Sequence, residues 1–288
     1  MHEACPAILS GMPYTPEGVS VMQPLNGLRN YHTHTTRCKH ATDSDEAYVQ
    51  AAIENGFCAL GFSDHTPLPY RDGYSSRIRM PEEQLPDYVA SIRSLQDKYR
   101  GQIRIYLGLE CEPLKEYIPW FRSIREEYAM DYLILGNHVS QEPEEGYFFA
   151  HSQTPDDLKR YTDMTLEGME SGLFEYVAHP EIAWSNYPHL DDACLQMSET
   201  ICTRAKELGI PLEYNLQGNS YRERGRYHGI GYPHDAFWRI AAQTGNQAII
   251  GIDAHHADML SWTDQFVQAR EHLAQMGLEV LDSLGNML

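Results

Sequence analysis

The chain has 288 residues, enough for one large domain or two ordinary ones, and its 42% hydrophobic content can supply a sizeable core. Its 41 acidic residues outnumber 22 Lys and Arg, and the formal charge of -19 argues against nonspecific binding to long nucleic acids or anionic membranes. A locally positive site remains open, because bound divalent cations cancel negative charge where they sit.

The six cysteines, at positions 5, 38, 58, 111, 194 and 202, form no CxxC pair and no dense disulfide framework, which fits a reducing compartment. No stretch approaches the roughly 18–20 apolar residues that cross a bilayer, and the amino terminus lacks a basic-then-apolar pattern. A cytoplasmic protein is expected. Residues 1–28 carry Pro and Gly with little periodicity and read as an irregular leader. The remainder, 29–288, reads as one domain, with no internal repeat beyond its βα rhythm and no dividing linker. Apolar runs of strand character stand at 29–33, 57–62, 103–109, 132–135, 175–178, 211–214 and 248–252. Helical patterns lie between them at 44–55, 81–99, 116–128, 158–172, 191–208, 235–244 and 261–276. Thr154, Pro155 and Asp157 supply a cap, a first-turn Pro and an acidic N3 residue ahead of one of them.

This alternation suits an open doubly wound sheet or a closed barrel, and the polar residues decide between them. His32 and His34, Asp64 and His65, Glu110, His138, His179, Glu213 and Asn215, and Asp253 and His255 stand at the ends of the seven runs. Only a barrel gathers the carboxyl ends of all its strands around one mouth. The expected fold is therefore α/β, a distorted (β/α)7 TIM-like barrel with its site at the carboxyl ends of the strands. The turn-rich stretch 67–80 reads as a loop over that mouth.

His32-Thr33-His34 places two imidazoles on one face of a strand, so that both can approach one ion, and Asp253-Ala254-His255 repeats the spacing at the last strand. Nitrogen and carboxylate donors without a cysteine cluster suit Zn, Fe or Mn. These residues, with His40, Gly61-Phe62-Ser63-Asp64-His65, Gly108-Leu109-Glu110, Gly136-Asn137-His138 and Ala178-His179-Pro180, resemble the PHP (polymerase and histidinol phosphatase) family of metallohydrolases. The resemblance spans 29–258 and implies two or three divalent ions on a distorted seven-stranded barrel. Carried over by motif, His32, His34, Glu110 and Asp253 hold one ion. Glu110, His138 and His179 hold a second, with Glu110 as the bridge, and His40, His65 and His255 hold the third. Asp64 is expected to accept a hydrogen bond behind a ligand or to fix an Asx turn. His189 and His256 are assigned no role.

Such a site implies a metal-activated hydroxide as nucleophile and needs no Ser-His-Asp triad. Cys38 lacks a Gly-rich anion loop after it and reads as structural. Three arginines stand in 221–228, of which Arg222 and Arg226 are the preferred phosphate clamps; Arg71, Arg77 and Arg79 pose the same question in the 67–80 loop. His234 is the candidate proton donor to the leaving alkoxide, with capping as its competing role. Glu213 either meets a substrate ammonium or fixes the barrel rim. The segments His65-Thr66-Pro67-Leu68-Pro69 and Gly108-Leu109-Glu110-Cys111-Glu112 resemble the histidinol-phosphatase branch. That implies hydrolysis of L-histidinol phosphate, a small phosphomonoester, rather than action on nucleic acid. Tyr214 and the Arg-rich insertion depart from the branch pattern and leave small nucleotides or phosphotyrosine as alternatives. An amidohydrolase and a non-catalytic metal-binding scaffold are the competing readings outside the family.

Overall fold

Short apolar runs become parallel strands, and the amphipathic segments between them become the helices that cover the sheet. The computed structural model describes residues 27–70, 73–141, 147–285 and 287. Most of the expected leader, and Arg71, lie outside these residues. In chain order the elements are β1 (Leu28–Asn30), α1 (Asp45–Glu54), β2 (Phe57–His65), α2 (Leu85–Lys98), β3 (Arg104–Cys111), α3 (Ile118–Glu127), β4 (Tyr132–Leu135) and α4 (Pro155–Glu170). Then follow β5 (Tyr176–Val177), α5 (Asp192–Leu208), β6 (Leu212–Asn215), α6 (Leu216–Glu223), α7 (Asp235–Thr244), β7 (Gln247–Gly251), α8 (Thr263–Gln275) and β8 (Glu279–Val280).

The strands form one curled parallel sheet in the order β1 to β8, the distorted barrel that the sequence implies. Two elements go beyond the expected seven units. The helix α6, in a segment where no helical pattern was read, starts directly at the end of β6 because Asn215 caps it by accepting the Gly218 N–H at 2.8 Å. The second is the two-residue β8, paired with the start of β7. Thr154 and Asp157 form a reciprocal capping box on α4. Among the described residues no helix is long and apolar enough to cross a membrane.

Side-chain alternation sorts the apolar residues into two cores. Tyr132 and Ile134 of β4, Tyr176 of β5 with Ala178 after it, and Ile249 of β7 pack together with Tyr31 inside the barrel, and Leu284 closes this inner cluster. The intervening Leu133, Leu135, Val177, Ala248 and Ile250 belong to the larger core under the helices. Gly108 makes the inner core possible, since a Cβ there would lie 2.5 Å from the ring of Tyr132.

The seam between the first and seventh strands is thin. One bridge, Thr33 to Ala254, spans it, with His34 N–H donating to Ala254 O at 2.9 Å and Ala254 N–H to His32 O at 3.1 Å. The fully buried Asn30 reinforces the join: its Oδ1 accepts the Ile252 N–H at 2.8 Å while its Nδ2 donates to His32 O and Thr33 Oγ1. Asn30→Ala orphans a buried N–H at that seam, so unfolding by urea should show a loss of about 1–3 kcal/mol. A change below about 0.5 kcal/mol, the usual range for surface substitutions, would show that the amide carries little of the closure.

Candidate metal centre

Above the inner tyrosine layer, the next inward positions are polar. His65 ends β2 and Glu110 lies near the end of β3, while His138, His179, Asp253 and His255 follow β4, β5 and β7. His32 and His34 follow β1, both fully buried. His40 comes from the loop after a single 3-10 turn, Thr36–Cys38, which Lys39 ends in the left-handed conformation at φ 70°. His179 (φ 31°) and Asp253 (φ 58°) also hold positive φ, which the backbone tolerates at a cost and which turns both side chains back over the mouth. The structure thus brings all nine sequence-predicted ligand residues to one end of the barrel, and seven of them line a cavity of about 730 Å³ above the buried His32 and His34.

Glu110 organises the cluster. Its Oε2 lies 3.5 Å from Nε2 of His32, 3.5 Å from Nε2 of His34 and 3.0 Å from Nδ1 of His65. Its Oε1 faces the other way, 3.0 Å from Nε2 of His179 and 3.5 Å from Nε2 of His138. Asp253 Oδ1 adds to the first set, 3.2 Å from His34 Nε2 and 3.5 Å from His32 Nε2. Within each set the imidazoles present nitrogens to each other, His32 to His34 and His138 to His179 at 3.2 Å. Two donors about 2.1 Å from a shared ion and roughly a right or tetrahedral angle apart are separated by about 3.0–3.4 Å. Several ligand atoms are also buried without a hydrogen-bond partner, among them Glu110 Oε2, Asp253 Oδ1 and His255 Nε2. Orphaned buried acceptors are costly unless something occupies the space between them, and a divalent cation meets that requirement. Triplets able to hold an ion include His32–His34–Glu110, His32–His179–Asp253 and His34–His65–His255.

The electrostatics agree. Burial alone raises a carboxyl pKa, yet His138, His32 and His65 hold Glu110 well below the usual range, and His32 and His34 do the same for Asp253. Burial disfavours charge on His32, but Glu213, Asp253 and Glu110 outweigh it and raise the imidazole well above its ordinary value. His255 is pushed down to about 3 by burial and by His34.

A second ring of side chains fixes the first. Glu213 is fully buried and receives His32 Nδ1 at 2.8 Å and the His179 N–H at 3.1 Å, so of its two expected roles it takes the structural one, beneath the ligands. Asn215 links it to Asp253. Asp64 accepts from the Thr35 hydroxyl and the His65 N–H and lies 3.6 Å from His34 Nδ1. Glu112, which the sequence reading left without a role, accepts His138 Nδ1 at 2.9 Å and the His138 N–H at 2.8 Å, and is paired in turn with the fully buried Arg79 at 3.3 Å. Its signal was the i,i+2 spacing from Glu110. Gln217 stands 2.8 Å from His255 Nδ1.

Four expectations change in the same light. Arg79 is buried beside Glu112 and is no phosphate clamp. Arg222 donates to the Pro233 carbonyl and does not line the cavity, whereas Arg226 lines it beside Arg224, with its guanidinium stacked 5.1 Å from the Tyr221 ring. His234 accepts the Ala236 N–H at 3.1 Å as the N-cap of α7 and also stands outside the cavity lining. His256, given no role, lines the cavity, with Nδ1 2.6 Å from the Thr42 hydroxyl.

A family model described as "PHP domain" matches residues 30–215. A Deinococcus radiodurans protein carrying the name "Probable histidinol-phosphatase" is 30% identical over 261 residues, covering 88% of this chain and 95% of its own. The "Histidinol-phosphatase" of Bacillus subtilis is 32% identical over 116 residues, 38% of this chain and 43% of its own. Among solved structures, the histidinol phosphate phosphatase of Lactococcus lactis, complexed with zinc, L-histidinol and phosphate, superposes with a TM-score of 0.68 at 18% identity. That match covers 91% of this chain and 98% of the other.

The carboxylate of Glu110 rests directly on Gly136, where a Cβ would come within 2.6 Å of its Cδ. Gly136→Ala should therefore displace the shared carboxylate and weaken metal binding by about tenfold or more, with unchanged far-ultraviolet circular dichroism. Wild-type metal retention during dialysis against a chelator series would show that Glu110 need not hold this position.

Proposed function

The chain belongs to the PHP domain family, and we propose that it is a metal-dependent phosphomonoesterase that hydrolyses L-histidinol phosphate to L-histidinol and phosphate. The observation that carries this reading is the division of Glu110, whose two oxygens face two separate imidazole sets at the floor of one cavity. His32, His34, Glu110 and Asp253 are assigned to one ion, Glu110, His138 and His179 to a second, and His40, His65 and His255 to a third, with Zn, Fe or Mn as the fitting metals. When bound, such ions lower the pKa of water and neutralise phosphate charge.

The side chains provide the rest. Arg224 and Arg226, at the cavity wall, are the groups placed to pair with phosphate oxygens, and the Tyr221 ring holds Arg226 in a stack that limits its motion. The metal ions and these arginines neutralise one end of the substrate. Its ammonium needs an acid at the other end. Among the described residues three carboxylates line the cavity, and since Glu110 and Asp253 are committed to the metal cluster, the exposed Asp258 is the one of these left for it. Glu213, buried beneath the ligands, is unavailable. The relatives named as histidinol-phosphatases, and the zinc, L-histidinol and phosphate carried by the Lactococcus structure, support this choice of substrate over other small phosphomonoesters.

With fully metallated protein and phosphate release as the readout, kcat/KM for L-histidinol phosphate should exceed that for nucleoside monophosphates, phosphotyrosine and phosphoserine by about tenfold or more, roughly 1.4 kcal/mol. A preference of that size for any of the others rejects the substrate and leaves the metal centre standing. Asp258→Asn should raise KM for L-histidinol phosphate by about fivefold, the upper range for an exposed ion pair, with little effect on p-nitrophenyl phosphate, which has no ammonium. Equal losses on both substrates would remove Asp258 from substrate recognition.

A further inference from the structure

We propose that Cys38 is a thiolate ligand to the ion assigned to His40 and His255, which makes that position a soft, sulfur-containing site; this rests on the metal-centre reading above. Sequence alone gave Cys38 a structural role, because no second cysteine accompanies it and no anion loop follows. The fold gives it different neighbours. The left-handed turn at Lys39 doubles the chain back so that Cys38 and His40 face the same space, and the loop is pinned to the seventh strand's extension by Thr42 N–H donating to His255 O at 2.9 Å. The Cys38 sulfur and one nitrogen each from His40 and His255 lie within 4.8 Å of one another.

The hydrogen bonds show which atoms are available. His40 Nδ1 is 2.7 Å from the Cys38 carbonyl and His255 Nδ1 is 3.0 Å from the Asp253 carbonyl. A carbonyl accepts only, so His40 Nδ1 carries the proton and its Nε2 keeps its lone pair, while at His255 the Gln217 amide also meets Nδ1, at 2.8 Å, which leaves Nε2 as the ring nitrogen without a partner. His255 is 9% exposed and its Nε2 has no hydrogen-bond partner. Cys38 is fully buried, and its Sγ receives the Ala41 N–H at 3.3 Å, a donor directed at sulfur. Cys38 also neighbours His34 and Asp64; both Asp64 oxygens are occupied by Thr35 and His65, and His34 meets the sulfur from that side as a hydrogen-bond partner. On the other side one sulfur and two imidazoles lie close enough together to hold one ion. Thiolate with imidazole favours zinc or ferrous iron over manganese, whereas imidazole and carboxylate alone discriminate less.

The test is zinc-edge X-ray absorption on the fully zinc-loaded protein, with zinc content measured in parallel. Wild type should show a sulfur neighbour at about 2.3 Å, near one for each three zinc ions, and Cys38→Ser should abolish it and hold one equivalent about tenfold or more weakly. Cys38→Asp should recover occupancy with the preference moved toward manganese. His255→Ala keeps the cysteine but should lose the sulfur signal together with that ion, which keeps the assignment testable if the Cys38 variants do not fold. A shell of nitrogen and oxygen alone in loaded wild type overturns the proposal, as does a sulfur signal that survives Cys38→Ser or His255→Ala. Protein that takes up less than about half an equivalent of zinc would instead bring down the metal-centre reading itself, and the thiolate with it.

Discussion

In a barrel of short parallel strands, successive side chains point alternately to the inside and to the helices, and the interior is wide enough for only a few layers. That geometric constraint orders everything else in this protein. The lower inward layer is apolar, built from Tyr31, Tyr132, Ile134, Tyr176 and Ile249. One step further along the same strands the inward positions are Glu110 above Gly108, Gly136 above Ile134, Gly251 and then Asp253 above Ile249. The glycines are the spacers: Gly136 lies under the carboxylate of Glu110, and a Cβ at Gly251 would meet the Glu213 carboxyl carbon at 2.5 Å. The tyrosine layer acts as a floor on which charged groups are held away from water.

Burying so many charges is expensive unless each is answered, and the second ring answers them in pairs. Glu213 serves His32 and the His179 backbone; Glu112 serves His138 and is itself balanced by Arg79. A ring nitrogen fixed by a carboxylate or carbonyl leaves the opposite nitrogen free with its lone pair set. The bulk charge of -19 is thus a poor guide to the site, where the acids are directed at imidazoles and cations and the arginines stand at the cavity wall.

Eight of the nine ligand candidates were legible because strand-end position and i,i+2 spacing follow from local sequence, whereas His40, in the loop after the first strand, came from the family resemblance alone. Residues whose roles depend on which face they turn to after a strand has ended were not. Asn215 closes β6 and caps α6 in a single residue, and with Gly218 in the first turn the helix had no periodicity to announce it. Arg222 is inside that helix and turns to Pro233, while Arg224 and Arg226, beyond its end, reach the cavity. His234 followed the capping alternative already present in the sequence. Glu213 was ambiguous between substrate and rim because burial, which decides it, is a tertiary property. The surroundings of Cys38 were hidden for a related reason: His255, one of whose nitrogens comes within 4.8 Å of its sulfur, lies more than two hundred residues away and reaches it only across the seam.

That seam connects the fold to the chemistry. Every other neighbouring pair from β2 to β7 is joined by strand pairing, yet the first and seventh strands meet through one bridge and the amide of Asn30, while β8 occupies the lower edge of β7. The ligands stand on both sides of this weak join. His32 and His34 come from one side and Asp253 and His255 from the other, with His34 and His255 stacked at 4.2 Å between ring centroids. An ion held by His34 and Asp253 would therefore crosslink two strands that share a single bridge. Ligands that bind only the folded state add their binding energy to its stability, about 2.7 kcal/mol at a hundredfold excess over Kd. The positive φ of Asp253 fits the same logic: strain at a seam residue persists where surrounding contacts over-determine it. The barrel is thus closed by few hydrogen bonds of its own at a place where bound ions would join its two ends.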